Sequence, residues 1–240
     1  MKYVGVDGCP AGWFVVSLTD HNVDCTVFET FRELWEAHGD AHTIMVDIPM
    51  GLPGGNQPPR AADRLAREML GPRRSSVFLP SVREVLSASS YREACEINRQ
   101  LTGKKISKQY WYLVPKIQDV DSLLQDEPGA VKVLRESHPE LCFWLASGGT
   151  IQHSKKTGPG LEERLTVLRK YLNNTGEIYG LVLRKYLRKE VARDDVVDAM
   201  VLAVAARLGE GEIHSLPNPP EQDETGLPMA IWYPDFGQDM

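Results

Sequence analysis

Apolar positions near the start of the chain fall into short, β-branched runs. Residues 2–6, 13–19 and 23–29 read as strands, joined by the turn sequences Gly8-Cys9-Pro10-Ala11-Gly12 and Asp20-His21-Asn22. Links this short predict an antiparallel meander. Thr30 followed by Glu33 makes a capping box, which opens a helix over 31–38. Residues 43–46 are a fourth buried strand. It follows a helix, so it can lie parallel to the first, beside it. The first and fourth runs end on Asp7 and Asp47. The pattern therefore places two carboxylates at equivalent ends of neighbouring strands.

The spacing of apolar positions then becomes helical. Residues 59–70 predict a helix stopped by Gly71-Pro72, and Arg73-Arg74-Ser75-Ser76 a polar, basic loop. Ser90 and Glu93 open a helix that ends at Gly103, and 107–124 predicts another, interrupted near Pro115. Residues 131–138 read as a fifth strand, closed by Pro139. Helices are expected over 139–146, 161–172, 177–190 and 194–208. In the last, Val197, Met200, Val201, Val204 and Leu208 form the stripe that packs on the sheet. The tail 212–228 is rich in Pro and acidic residues, and 229–233 is a short apolar strand or packing arm. That arm offers a surface for a partner, a homodimer among the arrangements it allows. No linker, repeat or low-complexity stretch divides the chain. It reads as a single domain over 1–240 with a helical insertion at about 50–128.

Composition narrows the class. A chain of 240 residues with 42% hydrophobic and 25% charged residues can bury an ample core. Four widely spaced cysteines, with no C-x-x-C pair, suggest free thiols in a reducing compartment. The first apolar run meets a charge too soon for a signal peptide, and the longest one, 196–206, is too short to span a bilayer. A cytoplasmic protein without membrane contact is expected. Charge is uneven. From Arg60 to Lys116 there are 12 Lys/Arg against 5 Asp/Glu, a local balance of +7, leaving −13 for the rest of a chain whose net charge is −6. Such a block suits an anionic partner such as DNA or RNA, or forms a solvated helical surface.

The acidic residues carry the candidate chemistry. A carboxylate at a strand end beside the core is costly unless a cation or donors meet it. Asp194, Asp195 and Asp198 stand at the start of the last helix, with Asp198 on the same face as the other two. Helix capping accounts well for Asp194 and in part for Asp195, but poorly for Asp198, a full turn in. Asp7, Asp47, Asp195 and Asp198 together suit Mg²⁺ or Mn²⁺, and two such ions can drive phosphodiester hydrolysis. Glu136 is a further catalytic candidate; a solvent-facing position or a salt bridge to Lys132 or Arg135 competes with that role. Arg73, Arg74, Ser75, Ser76 and Lys116 are candidate contacts for substrate phosphate. Lys104, Lys105 and Lys108, ahead of Tyr110, Trp111 and Tyr112, suit a single strand by charge and stacking, although aromatic residues in a row on a helix include core positions. His138 is a water-positioning or a structural histidine. The sequence lacks the G-x-S-x-G, G-x-x-x-x-G-K-[ST] and G-x-G-x-x-G motifs.

The segments VGVDGCPAGW, VDIP-x-GLP, AR-x-x-LGPRRSSVF, E-x-HPE and DD-x-x-DA resemble domain-of-unknown-function family 429, described as predicted RNase H-like nucleases. The resemblance implies a ribonuclease H-like α/β fold: a mixed five-stranded sheet, first three strands antiparallel, with flanking helices. It also implies acids at the ends of the first and fourth strands and on a C-terminal helix, matched here by Asp7, Asp47 and Asp195/Asp198. A metal-dependent nuclease is the expected function. An ATP-dependent phosphotransferase related to actin-like proteins and sugar kinases, with Gly8 to Gly12 facing phosphates, is one alternative. A non-catalytic nucleic-acid-binding protein is another.

Overall fold

Alternation along the first and fourth runs decides the architecture. In the computed structural model, which describes residues 1–149 and 151–237, β1 (Lys2–Cys9), β2 (Gly12–Thr19) and β3 (Val23–Phe28) form the antiparallel meander. After α1 (Phe31–His38), β4 (Thr43–Val46) pairs parallel to β1, and β5 (Leu134–Glu136) pairs parallel to β4. The sheet order is β3-β2-β1-β4-β5, the mixed sheet that the resemblance implies. Thr30 caps α1, accepting from the Glu33 N–H, and Glu33 accepts in return from the Thr30 N–H.

Successive strand residues point to opposite faces. Val4, Val6, Ile44 and Val46 face one core, with α1, α3 (Tyr91–Thr102) and α4 (Lys108–Asp126). Tyr3 and Met45 face the other, with α5 (Pro139–Ser147), α6 (Gly158–Arg169), α7 (Thr175–Lys185) and α8 (Arg193–Leu208). The layers are therefore helices, sheet, helices. α8 is buried on all sides from Val196 to Ala206. Its closest approach to the sheet is not through the expected stripe. A Cβ added at Gly5 would lie 2.1 Å from the Ala203 backbone nitrogen and 2.2 Å from the Ala199 carbonyl oxygen. A glycine facing two alanines lets helix and strand backbones meet.

Several expected boundaries move. β5 is only three residues long, because a 3-10 turn over Pro128–Lys132 takes up its expected start. α4 runs through Pro115 unbroken, held by burial of Val114, Ile117 and Val120 on either side. α6 starts earlier than expected, capped by Thr157. α7 stops at Lys185, and Glu190 turns back to accept from the Leu187 N–H. The expected loop at Arg73 is a 3-10 helix, Gly71–Ser76, after α2 (Ala61–Leu70). The Pro-rich tail is a strand, β6 (Ile213–Gln222), paired antiparallel with β7 (Pro228–Pro234). The apolar arm thus finds its partner strand within its own chain. No helix among the described residues is long and apolar enough to cross a membrane.

Candidate functional site

Strand parity aims both aspartates at one place. Gly5 and Asp7 share a face of β1, and Asp47 continues the Met45 face of β4, so both point toward α8. Val6 pairs with Val46, which sets Asp7 and Asp47 side by side. The Asp47 N–H donates to the Val6 carbonyl at 3.1 Å and holds that register to the strand ends. Gly5 pins the middle of α8, at Ala199 and Ala203, onto β1, and Asp198 and Asp195 lie close enough to act on Asp7 electrostatically. Asp7 and Asp47 line a cavity of about 390 Å³. Neither carboxylate accepts a hydrogen bond among the described residues.

The charge balance there is unfavourable. Burial, then Asp47 and Asp198, push the Asp7 carboxyl well above the usual carboxylate range. Asp198 is 1% exposed, and burial raises it too, against the pull of Lys155. Burial also lifts Asp195 to about 6.

Lys155, which the sequence did not single out, supplies the nearby positive charge. It comes from the loop before α6, and its ammonium donates to Asp198 Oδ2. Burial works against that ammonium, yet Asp198, Asp7 and Asp47 around it raise its pKa. Asp195 spends one oxygen on the Ala192 N–H at 2.8 Å. It is therefore the residue that caps α8, a task expected chiefly of Asp194, which instead lines the cavity.

Glu136 lines the same cavity but faces elsewhere. Its Oε1 meets Arg60 Nη2 at 2.6 Å and its Oε2 accepts the Met50 N–H at 2.7 Å. Burial pushes its carboxyl up to about 8 against the pull of Arg60. Arg60 also lies 3.5 Å from Asp63, so this buried trio ties α2 to β5. The expected partners Lys132 and Arg135 are not used.

The proposed phosphate contacts separate. Arg73 donates to the carbonyls of Ile151 and His153, bracing the loop that carries Lys155. Ser75 and Ser76 line the carboxylate cavity, while Arg74 lies in another pocket, beside α2. Lys116 lines the carboxylate cavity, donates to the Gly12 carbonyl and sits 4.5 Å above the Trp13 ring. Burial lowers its pKa, with Cys9 and Asp7 pulling the other way. His138 caps α5 through Nδ1 and reaches the Ser76 carbonyl through Nε2 at 3.2 Å, which is the structural role. Tyr110 is buried, whereas Tyr112 is 74% exposed.

Among the described residues no group of three or more His, Cys, Asp and Glu side chains is arranged to hold a metal ion. Mg²⁺ needs only one or two carboxylates, with waters and phosphate oxygens completing its shell. Asp7 and Asp47 meet that need: they are hard oxygen donors, unpaired, and open to the cavity. Their fit to a hard divalent cation rests on this donor chemistry.

A family model described as "Protein of unknown function (DUF429)" matches residues 5–222. The chain belongs to this family. The DUF429 match runs from within β1 to the end of β6 and takes in Asp7, Asp47, Lys116 and Lys155, but its description names no reaction. No curated protein and no solved structure matches the chain.

Proposed function

We propose that this protein is a nuclease, hydrolysing phosphodiester bonds with Mg²⁺ or Mn²⁺ held by Asp7 and Asp47. Asp198 and Asp195 serve as the acidic wall behind them. One observation carries the reading: two unpaired carboxylates lie side by side on parallel strand ends and open onto one cavity, with the buried Asp198 near enough to act on Asp7. A divalent ion bound there lowers the pKa of a water and polarises a phosphoryl oxygen. The chain's own residues do the rest. Asp7 and Asp47 fix the position of the cation from rigid strands. Lys116, held against Gly12 and Trp13, presents an ammonium to an anionic substrate oxygen at the cavity wall. Nucleic acid, DNA or RNA, is the partner this chemistry would serve, and four free thiols suit a reducing cytoplasm.

The phosphotransferase alternative has less support. The turn between β1 and β2 has its groups engaged: the Ala11 N–H donates to the Glu190 carbonyl, and Lys116 covers the Gly12 carbonyl. A labelled single-stranded oligonucleotide incubated with Mn²⁺ tests the proposal. Cleavage that EDTA stops and Asp7→Asn abolishes is expected; cleavage unaffected by Asp7→Asn would sink the reading.

A further inference from the structure

Two further cavities border the carboxylate cavity in turn. A second cavity of about 590 Å³ shares Ser75, Val77, Phe78 and Tyr110 with the first. A third, of about 770 Å³, shares Pro59, Arg67 and Leu79 with the second. The three are neighbours that meet at these shared side chains, and in order they lead from Asp7 and Asp47 past Phe78 toward α2.

The chemistry changes along that path. The middle cavity is flanked by apolar side chains left open to solvent: Phe78 at 44%, Leu79 at 58% and Leu101 at 41% exposure. Its charged lining residues are Arg67, Lys104 and Lys105, with no carboxylate. Lys104 and Lys105 form no ion pair among the described residues. The outer cavity holds Arg64, Arg67 and Arg74, against Glu68 alone, which pairs with Arg64 at 2.9 Å. In a chain of net charge −6, this basic stretch beside exposed apolar surface is complementary to a polyanion that also carries flat apolar groups.

We infer that these joined cavities form a track for a single, unpaired polynucleotide strand. One base lodges against Phe78 and Leu79, and the flanking phosphates lie on Lys104, Lys105 and the α2 arginines. A paired base is stacked and turned inward, and so cannot enter the apolar cleft. A small phosphoester would leave two of the three cavities without a contact. The inference rests on the nuclease reading for its direction, since the track leads the strand's phosphate to the carboxylates. Binding along it needs neither metal nor Asp7.

Fluorescence anisotropy in EDTA tests it, with labelled oligothymidylate and oligouridylate of about 2 to about 12 nucleotides and a duplex of matched length. Single strands should bind more tightly as they lengthen, more tightly than the duplex, and less tightly as salt rises. Phe78→Ala, at an exposed site, should weaken binding about tenfold with an unchanged salt slope. Lys104→Glu with Lys105→Glu should weaken it at least as much and flatten the slope. Equal affinity for the duplex, equal affinity for the shortest oligonucleotide, or wild-type binding by these variants would overturn the inference. Binding and cleavage of the same strand separate the two claims. A strand that binds through Phe78 but is never cut removes the nuclease and leaves the track. A strand cut by wild type without dependence on Phe78 does the reverse.

Discussion

The ammonium of Lys155 rests on the Asp198 carboxylate, and from there it also acts on Asp7 and Asp47. Asp198 is almost fully buried, while the lysine side chain is 37% exposed. The lysine thus stands where a loaded cation would compete with it, and its side chain already reaches solvent. Replacing it by Gln leaves a buried acid without its counter-charge. We expect Lys155→Gln to lose about 2 kcal/mol of stability in EDTA, less than for a fully buried pair because solvent reaches the lysine. Added Mn²⁺ should restore most of the loss, and Mn²⁺ should bind this variant more tightly than wild type. Thermal melts with and without metal check both.

The cavity acids also set the pH dependence of folding. Folded Asp7, Asp195 and Asp198 hold protons more firmly than the unfolded chain, whose aspartates titrate near about 4. In that window the folded state binds more protons, so stability falls as pH rises. The contribution is complete below about pH 4 and is lost as pH climbs, through about 6 for Asp195, with Asp7 shifted in the same direction. Melting temperature in EDTA should therefore drop between pH 5 and pH 8, and Asp7→Asn should flatten the slope. Because a metal takes the deprotonated acids, the gain from Mg²⁺ should grow over the same range.

Gly5 places the site without touching it. A methyl group there has no room against the Ala199 and Ala203 backbone, so α8 must lift away from β1. Gly5→Ala should cost about 3 kcal/mol, the upper end for overpacking, and should weaken Mn²⁺ binding in whatever protein still folds. Urea denaturation reads the first effect and metal titration the second.

Which parts of this were legible in the chain follows from how local each signal is. The meander, the α1 capping box and the two strand-end aspartates are patterns of a few residues, and period-two alternation carries Asp7 and Asp47 to one face. β6 was hidden by its prolines. Residues 217–220 fall in the irregularity between Leu216 and Glu221, where no ladder bond is required of them. In the chain Glu136 reads as a partner of the nearby Lys132 or Arg135 or as a catalytic acid, because Arg60, its partner, lies 76 residues away. Lys155 carried no signal at all. A lysine pair in a polar loop reads as solvated surface, and only the packing of α5 and α6 on α8 brings it to Asp198. The cleft at Phe78 is likewise assembled from separate segments.

Titration of the purified protein with Mn²⁺, followed by the loss of the free-ion paramagnetic resonance signal, tests the central claim directly. We predict saturable binding by wild type, strongly weakened in Asp7→Asn and in Asp47→Asn, with both variants still folded. No binding by wild type, or binding unchanged in both variants, would contradict a cation site at these strand ends.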